Sequence, residues 1–224
     1  MVSPFALFKW EALLNDWRVF GEGFLMTVTV SVLALVLALV LGIIFGVMGV
    51  GHSKVLKKIN KAYVSFYQNT PLVIQIFFLY NGFPHLGIML PVFTVGVLGI
   101  GIYHGAYIAE VVRGGIESVP RGQMEAAVSQ GLSYNQAMRH IILPQAKKII
   151  LPPLTNQIVN LIKNTSVMAM VAGGDLMYRA DSWASGNLYY GPGYLVTGLL
   201  YLALCLPLAT YARKLEKKTK GVTA

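Results

Sequence analysis

Cysteine and charge are both scarce in this 224-residue chain. Cys205 is the single cysteine and stands in an apolar run, so no disulfide or thiolate metal cluster forms within one chain, and it reads as a small buried hydrophobe. Charged residues make up 12% of the sequence against 55% hydrophobic ones, a balance that excludes a soluble domain and places the chain in the membrane class. Acids are the rarer sign, 9 against 18 bases, which leaves a formal charge of +9. Those bases lie in short runs beside apolar segments, where the positive-inside rule accounts for them, so the charge does not point to nucleic acid. No Gly-x-x-x-x-Gly-Lys-Ser/Thr loop is present to cradle nucleotide phosphates, and no metal-ligand spacing or nucleophile elbow appears. The histidines, His52, His85, His104 and His140, are dispersed. The chain therefore reads as no enzyme, with no cofactor of its own. Met1–Phe20 lacks the short apolar core and small-residue cleavage site of a secretory signal.

Apolar length is what the sequence does supply. A bilayer core takes about 20 apolar residues in a helix. Five stretches reach that length: about Phe24–Met48, Ala62–Gly82, Leu90–Val112, Ile149–Ala172 and Tyr194–Ala212. The fold class expected is an all-α polytopic membrane protein with five transmembrane helices. Lys54, Lys57, Lys58 and Lys61, then Arg113, Arg121, Arg139, Lys147 and Lys148, then Arg213, Lys214, Lys217, Lys218 and Lys220 fall on one side; Lys9, Arg18 and Arg179 fall on the other. The bias puts the N-terminus outside and the C-terminus in the cytoplasm. Trp10, Leu13, Leu14 and Trp17 recur at helical spacing, which suggests an interfacial helix within the outward-facing residues 1–20. Gly42 with Gly46, and Gly101 with Gly105, stand four apart and read as close helix packing.

Polar groups inside spans are functional hypotheses by default, because lipid offers them no partner. Gln75, Tyr103, Asn160, Lys163 and Asn164 fall near the midplane, roughly 17–23 Å along their helices by the rise per residue. Asn156, Asn160 and Lys163 with Asn164 repeat on one face, and Tyr103, Tyr107 and Glu110 on another, with Glu110 near the cytoplasmic exit. One reading lines a translocation path with these residues, Lys163 attracting a substrate carboxylate; the other makes them a structural polar network between two subunits. Thr165 and Ser166 are expected to hydrogen-bond back to their own helix. Asn69-Thr70-Pro71 is expected to break the second helix, and a broken helix is a place for substrate contact.

The most specific stretch is polar. Glu125-Ala126-Ala127, three residues, Gly131, nine residues, then Ile141-x-Leu143-Pro144 form one pattern. Pro120 opens a helix, Gly131 ends it, Ser133-Tyr134-Asn135-Gln136 opens a second as a capping box, and Pro144 is expected to stop that one. Arg121, Glu125, Arg139 and His140 are carried on the pair.

This pattern resembles the signature of the permease subunits of ATP-binding-cassette (ABC) importers. Gln68-Asn69-Thr70-Pro71-Leu72-Val73-Ile74-Gln75, Ala109-Glu110-Val111-Val112-Arg113-Gly114-Gly115-Ile116 and Leu161-Ile162-Lys163-Asn164-Thr165-Ser166 narrow the likeness to the polar amino acid branch, which takes up histidine, glutamine, glutamate or arginine. The resemblance implies a type I importer permease fold at 21–212, with a coupling-helix loop at about 113–148 and a cytoplasmic basic tail at 213–224. It implies that Arg121, Glu125, Ala126, Ala127, Gly131, Ile141, Leu143 and Pro144 form the helix that fits a cytoplasmic ATPase dimer. ATP and Mg would sit on that partner. A second permease copy or paralogue, an extracytoplasmic substrate-binding protein meeting the Gly173–Gly193 loop, and a polar amino acid substrate complete the expected partners, in a bacterial inner membrane. The rivals are an ion-gradient carrier using Glu110, His104 and Lys163 as a proton relay, and a non-transporting scaffold that recruits an ATPase.

Overall fold

The computed structural model describes residues 3–220; residues 1, 2 and 221–224, the last of which close the expected basic tail, lie outside the described residues. Among those described, every regular element is helical. Lipid imposes this, since each backbone N–H and C=O within it must be satisfied inside the protein.

A short helix α1 (Leu7–Asn15) precedes α2 (Trp17–Val50), the longest element. Leu13 of α1 is buried, whereas Leu14 and Trp17 are exposed. α2 packs mainly on α5 (Val92–Glu117), and glycine sets the distance between them. A Cβ at Gly42 would stand 2.4 Å from Ile108 Cγ2, and one at Gly46 would stand 2.7 Å from Val112 Cβ. The relation is reciprocal, because a Cβ at Gly101 would stand 2.7 Å from Leu37 Cδ2 and one at Gly105 would stand 3.0 Å from Leu41 Cβ. The two glycine pairs therefore mesh in one seam, the packing expected of small residues four apart.

Among the described residues, three helices are long and apolar enough to cross a membrane: α2, α5 and the greater part of α10 (Tyr190–Lys220). The other two apolar stretches are not the uninterrupted helices expected of them. In place of one helix over Ala62–Gly82, the chain forms α3 (Lys54–Gln68), a break, α4 (Leu72–Phe77), a π-helical turn at Phe78–Gly82 and a 3₁₀ turn at Phe83–Leu86. α3 begins at Lys54 because Ser53 caps it, its hydroxyl accepting from the Leu56 amide. Lys54, Lys57, Lys58 and Lys61 thus lie exposed on a helix and not in a loop. Tyr63 anchors that helix on α5, its hydroxyl donating to the Ile102 carbonyl at 2.7 Å.

The break falls at Asn69-Thr70-Pro71. Pro71 has no N–H to give the Tyr67 carbonyl, so Gln75 supplies one from Nε2 at 3.3 Å and gives a second to the Thr70 carbonyl at 3.0 Å. Asn69 Nδ2 donates to the Ser65 carbonyl and Thr70 Oγ1 to the Phe66 carbonyl. Side chains replace the hydrogen bonds that the helix gives up.

The second composite is α8 (Leu143–Asn164), continued by a 3₁₀ segment at Thr165–Val171. Thr165 Oγ1 donates to the Ile162 carbonyl at 2.7 Å and Ser166 Oγ to the Lys163 carbonyl at 2.8 Å, which tightens the turn into i−3 geometry. Ala172 and Gly174, both left-handed, end the segment. The stretch 173–193, expected as a loop, contains a further helix, α9 (Leu176–Asn187). Asp175 caps it by accepting from the Met177 amide, and the Leu176 amide donates to Thr27 Oγ1 on α2 at 3.0 Å. Burial pushes the Asp175 carboxyl up to about 6, against the pull of hydrogen bonds from the backbone amides around it. Leu176, Ala180, Trp183 and Ala184 face inward, so α9 is part of the packed structure. α1 is clasped to it: Trp183 Nε1 donates to Asp16 Oδ2 at 2.8 Å, and Phe8 meets Tyr189 edge-on.

The seam generates a contrast. Gly46→Leu is expected to lower stability by about 1–3 kcal/mol through overpacking against Val112. Gly114→Ala, whose Cβ meets nothing within 4 Å, raises it by about 0.5–1 kcal/mol through helix propensity. Thermal unfolding of the purified protein in detergent measures both.

Candidate functional site

Polar side chains gather in two places. The first is the helix pair α6 (Arg121–Ser129) and α7 (Tyr134–Ala137). Gly131, at φ +87°, donates from its amide to the Val128 carbonyl, and Leu132 donates to the Ala127 carbonyl. This double closure ends α6 in a left-handed glycine, as its spacing implies. Ser133 and Gln136 then form the reciprocal capping box that opens α7.

Pro144 does not stop the second helix. After α7 the chain makes a π-helical turn at Met138–Ile142 and continues directly into α8, with Pro144 in the first turn. A proline there forfeits only a donor that the first turn leaves free, and the wide turn before it absorbs the missing hydrogen bond. Buried Ala127, Ala137, Ile142 and Ala146 root the pair on the ends of α5 and α8. Ile141 is half-buried beside them, while Arg121, Glu125, Ala126, Gly131, Leu143 and Pro144 are exposed. Val128 is exposed as well, at 50%, an apolar side chain presented between Glu125 and Gly131.

The second place is a cleft of about 350 Å³ between α5 and α8. From α5 it takes Tyr103, His104 and Tyr107; from α8 it takes Gln157, Asn160, Lys163 and Asn164. The Tyr103 and Tyr107 hydroxyls hydrogen-bond to each other at 3.0 Å. Asn164 Nδ2 and His104 Nε2 hydrogen-bond at 3.0 Å and tie the two helices across the cleft. Lys163 is exposed and is the one formal charge that lines the cleft. The arrangement offers a cation, three amides and two phenols to a small polar solute, with no carboxylate among the lining side chains.

Tyr103, Tyr107, Asn160, Lys163 and Asn164 are thus brought together as their spacing suggests. Asn69, Thr70 and Gln75 are not with them. They serve the helix break, where Thr70 and Gln75 border a separate apolar cavity of about 450 Å³. Glu110 accepts from Arg113, which also pairs with Glu117, so three charges lock together at the end of α5 away from the cleft. Thr165 is buried against its own helix, and Ser166 faces a cavity adjoining the cleft. Gln157 is the cleft residue that sequence reasoning missed, and His104 entered it only in the rival proton relay. Gln157 stands three before Asn160 where Asn156 stands four before it, and helical periodicity admits either; the fold exposes Asn156. His104 carried one signal, an ionisable group in mid-span next to Tyr103.

Residues 38–221 match the family described as binding-protein-dependent transport system inner membrane component. The chain belongs to this family. It is 45% identical over 206 residues to the probable glutamine ABC transporter permease protein GlnM of Bacillus subtilis, covering 92% of this chain and 95% of that one. Against the arginine transport system permease protein ArtQ of the same organism the identity is 32%, covering 89% and 92%. Among solved structures, an amino acid ABC transporter crystallised with histidines superposes with a TM-score of 0.86 at 31% identity, over 92% of this chain and 97% of that one. The MetNI methionine ABC transporter in an inward-facing form superposes at 0.65 and 17% identity, over 88% and 94%, a likeness of fold alone. The all-α, polytopic, type I importer permease fold is thereby shown.

Gln75 and Lys163 separate structural from functional polarity. Gln75→Leu strands the Tyr67 carbonyl and is expected to cost about 1–3 kcal/mol, whereas Lys163→Met leaves the midpoint of thermal unfolding within the error of the parent. Differential scanning fluorimetry on the two variants reads the difference directly.

Proposed function

We propose that this chain is the membrane permease subunit of an ABC importer for polar amino acids, and that the α5–α8 cleft is where the substrate crosses. The observation that carries this reading is the pairing of Lys163 with neutral amides and phenols in a cleft free of acidic side chains. A carboxylate common to all amino acids finds its counter-charge there, and the amides and phenols suit an amino group and a polar side chain. The names of the relatives, glutamine and arginine permeases, supply the substrate class.

In this reading five spans, three continuous and two composite, form half of a channel completed by a second permease. The C-terminal end and the α6–α7 pair face the cytoplasm by the lysine and arginine bias. The pair inserts into a groove of a separate ATPase, which binds the ATP and Mg that this chain has no loop to hold. A hydrophobic Val128 flanked by Glu125, in a helix ended rigidly at Gly131, suits such an insertion. The opposite face, around α9, receives an extracytoplasmic binding protein. An ion-gradient relay through Glu110 finds less support, since Arg113 and Glu117 engage that carboxylate.

The test is ATP hydrolysis in liposomes by the permease co-expressed with the ATPase encoded beside it, with Glu125→Arg and Gly131→Pro in parallel. Hydrolysis is expected to rise on adding loaded binding protein and to fall at least ~10-fold in both variants, equivalent to about 1.4 kcal/mol of lost coupling. Hydrolysis at the parental rate in the variants removes the docking role from α6. Lys163→Met is expected to depress uptake in the same liposomes by a similar factor while the ATPase remains bound.

A further inference from the structure

Lys163 borders a second cavity. It measures about 320 Å³ and lies between the end of α8, α9 and α10, with Ser166, Met177, Tyr194 and Gly198 among its walls. Its position relative to the cleft follows from chain direction. On α8 the cleft is lined by Gln157, Asn160, Lys163 and Asn164, and the second cavity by Lys163, with Ser166 just beyond the helix end. α10 starts at Tyr190, so Tyr194 lies at the far mouth of the second cavity, where its hydroxyl donates to Asp181. Lys163 stands in the wall of both cavities, the cleft lying on the α5 side of α8 and the second cavity on its α9–α10 side.

Gly198 offers a way to fill this cavity from α10. A glycine in a helix interior is disfavoured and is usually retained for close packing, as at Gly42 and Gly46. At Gly198 a Cβ would meet nothing within 4 Å. Gly198 is exposed, so a larger side chain there projects into the cavity without first meeting protein.

Resting on the importer reading above, we propose that the second cavity is an outer waiting site for the same amino acid, and that Lys163 transfers the substrate carboxylate from it to the α5–α8 cleft. Lys163 is the only charged side chain among the described residues that line the outer cavity, and its ammonium group sits on a flexible four-carbon stem with three rotatable donors. One side chain can thus remain bound to the carboxylate while the substrate passes from one cavity to the next. No new counter-charge is needed on the way. A single cation shared by two compartments also limits occupancy, since a carboxylate held on one side leaves the other without its partner.

The test fills the outer cavity from two helices. The complete assembly is reconstituted in liposomes with Gly198→Ala, Gly198→Val, Gly198→Leu and, from the facing helix, Met177→Trp. Initial ATP-driven uptake is measured with a radiolabelled mixture of the twenty amino acids and their loaded binding protein, and retention of the ATPase is followed by copurification. Uptake is expected to fall stepwise with side-chain size, reaching tenfold or more in the leucine and tryptophan variants, with the ATPase retained. Parental uptake in Gly198→Leu and Met177→Trp overturns the waiting site and leaves the importer reading intact. Loss of assembly across the Gly198 series also overturns it, by showing that protein and not substrate occupies the space. Absence of uptake by the parent itself removes the importer reading on which the proposal stands.

Discussion

The departures from regular helix at Pro71 and Pro144 are governed by the shortage of water for backbone groups inside lipid. A carbonyl released by proline has to be met by a side chain or by a change of helical pitch. At Pro71 the Gln75 side chain does this for the Tyr67 carbonyl, and at Pro144 a π-helical turn does it; at Thr165 and Ser166, where no proline intervenes, hydroxyls bond the i−3 carbonyls while the helix tightens. Polar residues in the membrane therefore divide into two kinds by the partners they have. Those bonded to their own backbone are structural. Those left open to a cavity are available to a solute.

That division puts the chemistry on α5 and α8. His104 and Asn164 hold the two helices together across the cleft, and the Tyr103–Tyr107 pair closes one wall. Lys163 is left with no carboxylate among the residues that line either of its cavities. An unneutralised ammonium in a bilayer is costly, and the cleft suits a transient occupant that brings its own negative charge.

Much of this was legible in the sequence because it depends on local rules. The left-handed closure at Gly131 and the capping box at Ser133 follow from residue type and spacing, and the break at Pro71 follows from a missing N–H. The α8 polar face emerged from periodicity, which placed Asn160, Lys163 and Asn164 correctly but could not choose between Asn156 and Gln157. Three features were hidden for physical reasons. Gln75 reads as a midplane polar group, yet its work is visible only once the Tyr67 carbonyl is seen beside it. Pro144 reads as a terminator because pitch changes leave no mark in composition. α9 mixes apolar and polar residues too evenly to announce itself, and it is defined by what Asp175, Thr27 and Trp183 reach across space.

The glycine seam between α2 and α5 has a mechanical consequence. Cushioning side chains are absent where Gly42, Gly46, Gly101 and Gly105 meet their neighbours, so the two backbones cannot slide without collision. They form one stiff beam. Only Ser118, Val119 and Pro120 separate its α5 end from α6, and the proline fixes one of those joints. In the proposed reading, a displacement applied to the Glu125 helix reaches this beam through that short joint, and the composite helices beside it, with their breaks and changes of pitch, are the parts able to yield.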